Sequence, residues 1–124
     1  MIDFENAQYL KLLPYDNDGA KKLVEPMLID GEEIFAAFKT VRDQVIFTNK
    51  RLIAVNVQGV TGKKKDFTSL AYSKIQAFSV ETSAVFDIDT EMTLWFAGLG
   101  VVRFQFIGFF DIRAFNKLIS GYIL

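Results

Sequence analysis

Histidine and cysteine are both missing from the 124 residues, which leaves carboxylates, Lys, Tyr and Ser/Thr hydroxyls as the groups that could do chemistry. The commonest general base and the commonest metal ligand are therefore gone. Disulfides, thiolate nucleophiles and zinc sites go with them. No nucleophile–base pair is visible among the remaining types. The chain reads as a non-enzyme with no catalytic residue, no cofactor and no metal ligand.

Two segments come nearest to a chemical site. In Phe86-Asp87-Ile88-Asp89-Thr90-Glu91 the acids alternate. On an extended segment, Asp87, Asp89 and Glu91 would share one face and could offer oxygen ligands to a hard cation. The EF-hand pattern fails because its glycine and distal glutamate are missing, and an acidic run leading into a strand more often stays solvated and blunts an edge. The second segment is Gly59-Val60-Thr61-Gly62-Lys63-Lys64-Lys65. A phosphate loop needs four residues between its glycines, then Lys and a hydroxyl residue opening a helix. Here two residues separate the glycines and no hydroxyl follows the lysine, which excludes nucleotide hydrolysis. Lys63, Lys64 and Lys65 remain candidate contacts for an anion, against the alternative of a solvated hairpin tip.

Charge is unevenly spread along a chain of net charge −1. Residues 1–33 carry eight acids and three bases, residues 39–65 seven bases and one acid, and residues 81–91 four acids and no base. Bulk nucleic-acid binding is not expected at a pI of 5.4. Oppositely charged segments suit self-association, and they equally suit a mixed solvated surface. The N-terminal Met-Ile-Asp-Phe-Glu-Asn has acids where a signal peptide has bases. No apolar run reaches the ~18 residues that span a bilayer. The expectation is a cytoplasmic chain without a transmembrane segment.

The elements that must position these residues follow from periodicity. Half of the residues are hydrophobic and thirteen are Phe, enough for one packed core, and the length suits a single domain over 1–124. Phe4, Ala7, Leu10 and Leu13 recur at helical spacing behind Asp3, which predicts a helix, and a second short one follows from about Ala20 to Glu25, before Pro26. Residues 1–30 thus read as a helical extension. Over 33–107 the pattern changes to short β-branched and aromatic runs at 34–41, 44–48, 52–58, 64–71, 74–82, 91–97 and 101–107, separated by turn residues. Asp111 is a cap for a helix within 109–123, whose face carries Ile112, Phe115, Ile119 and Tyr122, broadened by Leu118 and Ile123. Seven antiparallel strands and one closing helix predict a mainly β fold, a curved sheet or partial barrel.

Alternation puts Met92, Leu94 and Phe96 on one face of their strand and Trp95, the single tryptophan, on the other. Phe35 and Phe67 are candidates for the same outer position. Such aromatics mark an interaction surface, unless the N-terminal helices cover them.

The runs Phe47-Thr48-Asn49-Lys50-Arg51-Leu52, Thr61-Gly62-Lys63-Lys64, Tyr72-Ser73-Lys74-Ile75, Phe78-Ser79-Val80-Glu81-Thr82 and Phe86–Glu91 follow one another in an order and spacing that resembles the bacterial pleckstrin-homology (PH) domain family. The resemblance covers most of 30–124. It implies a PH-like barrel of seven strands capped by a C-terminal helix, homo-oligomers that often form rings, and no known enzymatic activity. Eukaryotic lipid-binding PH domains are a poorer match. Their first hairpin loop carries several bases, whereas only Arg42-Asp43 separates the strands here, so phosphoinositide recognition is not expected. Within Thr48-Asn49-Lys50-Arg51, Asn49 suits a left-handed turn. Lys50 and Arg51 then either serve the turn or contact an anion. The leading expectation is a non-enzymatic, self-assembling module that presents a surface to a protein partner. The second is a weak binder of anionic lipid or phosphate through 39–65.

Overall fold

The computed structural model describes residues 1–83 and 88–124. Among these it is mainly β, with eight strands rather than seven, and a C-terminal helix. The chain divides into two compact units, Met1–Ile2 with Pro14–Ala71, and Asp3–Leu13 with Tyr72–Leu124.

The first unit is an antiparallel meander of β2 (Ile34–Lys39), β3 (Gln44–Thr48), β4 (Arg51–Gln58) and β5 (Lys64–Ala71). The β2–β3 turn is closed by Thr40. Its hydroxyl accepts from the amides of Arg42 and Asp43 at 3.2 and 2.9 Å, and its own amide donates to the Asp43 carbonyl. One face aligns Ala37, Ile46 and Ile53 as cross-strand neighbours. Helix α1 (Asn17–Val24) buries Ala20 and Val24 in that same cluster. Phe38, Val45, Phe47, Leu52 and Ala54, on the other face, are buried as well. That two-sided burial is why β3 and β4 read as continuous apolar runs rather than alternating ones. Each large side chain so buried contributes about 1.5–3 kcal/mol.

Helix α1 starts three residues before the expected Ala20, because Asp16 caps it by accepting from the Asp18 amide at 3.1 Å. Asp16–Gly19 is therefore a cap and first turn, not a break. Glu25–Met27 follows as a single 3₁₀ turn containing Pro26. Ahead of α1, the Tyr15 hydroxyl donates to Gln44 Oε1, and burial pushes it up to about 12.

The second unit corrects the N-terminal reading. The helix expected through Phe4, Ala7, Leu10 and Leu13 is instead a strand, β1 (Gln8–Pro14), running parallel to β8 (Gly100–Phe106). A bulge explains the false period. Lys11 sits at φ 59°, and the register shifts between Tyr9 and Leu12. The buried residues Ala7, Tyr9 and Leu12 are therefore spaced two and then three apart, while Leu10 and Leu13 are exposed. An inserted residue turned a strand's alternation into something close to a helical pattern.

β8 pairs with β7 (Thr90–Phe96), and β7 with β6 (Ile75–Glu81), both antiparallel. Helix α2 (Ile112–Ile123) is capped by Asp111, whose carboxylate accepts from the Ala114 amide at 3.0 Å. It buries Ile112, Phe115 and Ile119, while Leu118 is exposed and Tyr122 stacks on Tyr72 at 5.9 Å. Tyr9, Phe104, Phe106, Phe110 and Phe115 form a chain of ring contacts with centroids 4.6 to 6.5 Å apart. Tyr9, Phe104, Phe106 and Phe115 are buried, and with Met92, Leu94, Phe96, Val102, Ile112 and Ile119 they belong to the core of this unit.

Candidate functional site

Among the described residues, a densely connected polar group is built on the Thr48–Arg51 motif. The Arg51 guanidinium reaches Glu32 through Nε to Oε2 at 3.0 Å and Nη2 to Oε1 at 2.9 Å. It also donates to the Met27 carbonyl at 2.8 Å and to Ser69 Oγ at 3.0 Å. The Thr48 hydroxyl donates to Glu32 Oε2 at 2.6 Å and accepts from the amides of Lys50 and Arg51, both at 3.0 Å. Burial alone would raise the Glu32 carboxyl. Hydrogen bonds from Arg51, the Thr48 hydroxyl and the Ile29 amide outweigh it and hold the carboxyl below its ordinary value. Asn49 completes the knot. Its Oδ1 accepts from the Glu33 amide at 2.8 Å, and its Nδ2 donates to the Gly31 carbonyl at 2.9 Å.

This geometry decides what the motif does. The left-handed turn expected at Asn49 is absent, since the positive-φ residues other than glycine are Lys11 and Asp89. Asn49 works through its amide side chain, which ties the β3–β4 turn to the segment entering β2. Arg51 is engaged by a carboxylate, a hydroxyl and a carbonyl of its own chain. Lys50 is exposed beside it.

The candidate anion contacts are not brought together. Lys50 and Arg51 lie at the start of β4, and Lys63–Lys65 follow its end. An eight-residue strand separates them by roughly 20–25 Å at the usual rise of a β-strand. Lys63, Lys64 and Lys65 are all exposed. A different basic residue joins them at their end of the sheet. Arg42 Nη2 donates to the Gly59 carbonyl at 2.7 Å, and Asp43 Oδ1 accepts from the Val57 amide at 3.0 Å, which stitches the β2–β3 turn to the β4–β5 turn. Sequence reading missed this juxtaposition. Its one visible signal was a valine at each turn tip, where polar residues are usual.

The three candidate surface aromatics also separate. Phe67 is half-buried and packs on the cluster to which α1 contributes Ala20 and Val24. Phe35 is half-buried with its ring 6.1 Å from that of Phe47. Trp95 points away from buried Met92, Leu94 and Phe96 and is 37% exposed, flanked across the sheet by Ala77 and Val101.

Of the acidic run, Asp87 lies outside the described residues. Asp89 takes φ 57°, so the extended alternation does not continue into it, and it precedes β7. Glu91 stands directly across the sheet from Glu81, both exposed. Among the described residues no group of three acids is placed to hold a metal ion. An open groove of about 240 Å³ runs between the first turn of α1 (Asn17, Asp18, Lys21) and Glu32–Ile34, but its buried carboxylate, Glu32, is already paired with Arg51. No helix among the described residues is long and apolar enough to cross a membrane.

The family model described as "Bacterial PH domain" matches residues 3–123. A crystal structure of a DUF1696 family protein with a pleckstrin-homology domain from Shewanella loihica PV-4 superposes with a TM-score of 0.79 at 34% identity, over 93% of this chain and 99% of that one. A pleckstrin-homology domain from Shewanella amazonensis SB2B gives a TM-score of 0.66 at 39% identity, over 89% and 90% of the two chains. The uncharacterized protein YjqA of Bacillus subtilis is 53% identical over 72 residues, a match spanning 58% of this chain and 58% of that protein's own length.

Proposed function

Because the chain belongs to the bacterial PH domain family, we propose that it is a non-enzymatic module that assembles with copies of itself through the free edges of its sheets and offers the assembled surface to a protein partner. The observation that supports this reading is the charge on the two end strands. Among the described residues, β5 pairs on one edge only, with β4, and β6 on one edge only, with β7. β5 opens with Lys64 and Lys65, and β6 closes with Glu81, which faces Glu91 on β7. Like charges directly across a sheet are destabilising unless something neutralises them. Antiparallel pairing of β5 in one copy with β6 in another sets the two lysines beside those two carboxylates. Lysines on an edge repel a second identical edge, so the pairing is head-to-tail, the kind that closes into a ring when the rotation per copy permits.

Light scattering at tens of micromolar tests the reading. Lys64→Glu with Lys65→Glu should lower the molar mass, and adding Glu81→Lys with Glu91→Lys should restore it. A monomeric wild type defeats it. If Trp95→Glu alone dissociates the assembly and the charge swap does nothing, the interface is the outer sheet face and not the edge. For the chemistry, a broad activity screen should give no turnover. Turnover abolished by one carboxylate substitution, at Asp87 or Asp89, would make the chain an enzyme.

A further inference from the structure

The open groove of about 240 Å³ between the first turn of α1 and the entry to β2 has an aliphatic floor and a charged rim. The floor is Leu28 and Ile34, both half-buried and packed on the cluster that holds Ala20, Val24 and Ile46. Both walls are braced. Asp16 caps α1 on one side. On the other, Glu32 Oε1 accepts from the Ile29 amide at 3.1 Å, and Asn49 Oδ1 accepts from the Glu33 amide at 2.8 Å. The groove is thus formed before anything enters it, and a ligand has little to order. On the rim, Asp18, Lys21 and Glu33 are exposed, and among the described residues none of the three is in an ion pair. Residues 16–34 carry six acids and two bases. Arg51 neutralises one of those acids, Glu32. Even with Lys50 added, which follows Asn49, five carboxylates stand against three ammonium groups.

We propose that this groove takes a lysine side chain of a partner protein, its methylene stem along Leu28 and Ile34 and its ammonium among the oxygens of Asn17, Asp18 and Glu33. This rests on the reading of the chain as a module that offers a surface to a protein partner, and not on edge pairing between copies. A lysine stem lies favourably on apolar surface while its head stays polar. Three acceptor side chains match the three N–H donors of an ammonium. Arginine would want both oxygens of one carboxylate, and Glu32 already gives both of its oxygens to Arg51. An apolar side chain would take water from Asp18 and Glu33 and return no partner. An anionic one would meet Lys21 but also those two carboxylates.

Saturation-transfer NMR on the full chain with the blocked peptide acetyl-Ala-Ala-Lys-Ala-Ala-amide tests this. The lysine methylenes should receive saturation, with half-saturation at about millimolar peptide, because the ion pairs formed are exposed and screened. Peptides with norleucine or Nε-acetyl-lysine in place of the lysine should receive little. Asp18→Asn with Glu33→Gln should weaken binding by about tenfold. Both side chains are exposed, and Glu33 meets Asn49 through its backbone amide, so the double variant should melt as wild type. Lys21→Gln removes a like charge and should tighten binding by about twofold. The proposal is overturned if the norleucine peptide binds as well, which would leave only an apolar cleft. It is overturned too if Lys21→Gln weakens binding or inorganic phosphate competes at constant ionic strength, which would mark an anion site. Cadaverine binding more tightly than the peptide would mark a site for a free amine and also overturn it. The outcome separates from that for self-assembly. A monomeric wild type that binds the lysine peptide defeats edge pairing alone, and an oligomer that ignores the peptide defeats the groove alone.

Discussion

Arg51 closes a two-pronged contact on Glu32, whose side chain is fully buried while the guanidinium stays 22% exposed. Paired, the two fix the β3–β4 turn against the entry to β2. Without Arg51, the Glu32 carboxylate would be left charged where water cannot reach it. Arg51→Ala is therefore expected to destabilise the fold by about 3–5 kcal/mol, as for other buried pairs broken on one side. Arg51→Lys should cost less but still lose the fork that meets both carboxylate oxygens. Urea denaturation checks both.

The same carboxylate sets a pH dependence. Its folded value lies below the ordinary glutamate value of 4.5, so the folded state binds the proton less well than the unfolded state. The resulting stabilisation is complete above the unfolded value and is lost as pH falls through the folded one. Denaturant midpoints should hold from neutral pH to about 5 and then drop. In Glu32→Gln this part of the drop should vanish, at the cost of lower stability at neutral pH. An unchanged acid slope in that variant would place the titrating groups elsewhere.

Gly100 opens β8 at φ 143°, and a Cβ there would stand 3.2 Å from Phe4 Cβ. The backbone conformation and the close approach both disfavour a side chain. Gly100→Ala should lower stability by about 1–3 kcal/mol. Gly98→Ala also meets a positive φ, of 77°, but no atom lies within 4 Å of its Cβ, so it should cost less. Thermal melts of the two variants separate the clash from the backbone strain.

Thr90 is fully buried, and its hydroxyl has no hydrogen-bond partner. A desolvated hydroxyl left unpaired costs about 1–3 kcal/mol. Thr90→Val keeps the shape and removes the polar atom, so it should raise the denaturation midpoint. A loss of stability would mean that the hydroxyl is satisfied in solution.

Most strands were legible because alternation and turn residues are local signals. Those of β2 to β8 fall within two residues of where the pattern predicted them. Asp111 was legible as a cap for the same reason, since a cap is a relation between residues three apart. β1 was not. Its pairing partner, β8, is nearly a hundred residues away, and the bulge at Lys11 erased the period of two that would have shown it.

Composition and local pattern by themselves determined a mainly β chain with a C-terminal helix, without histidine or cysteine chemistry, and the ordered motifs that resemble the bacterial PH family. These depend on which residues are present and on spacings of a few positions. Only the tertiary structure decided how the basic and aromatic residues are used. Lys50 and Arg51 look adjacent to Lys63–Lys65 in a charge count, yet β4 holds them at opposite ends. Arg51 is bound to Glu32, nineteen residues earlier in the chain, and Phe67 packs on the cluster that α1 completes. Val41 and Val60 become neighbours because Arg42 meets the Gly59 carbonyl across two turns. Which charge is paired and which apolar group stays wet is set by contacts between distant segments, and those exist only once the chain has folded.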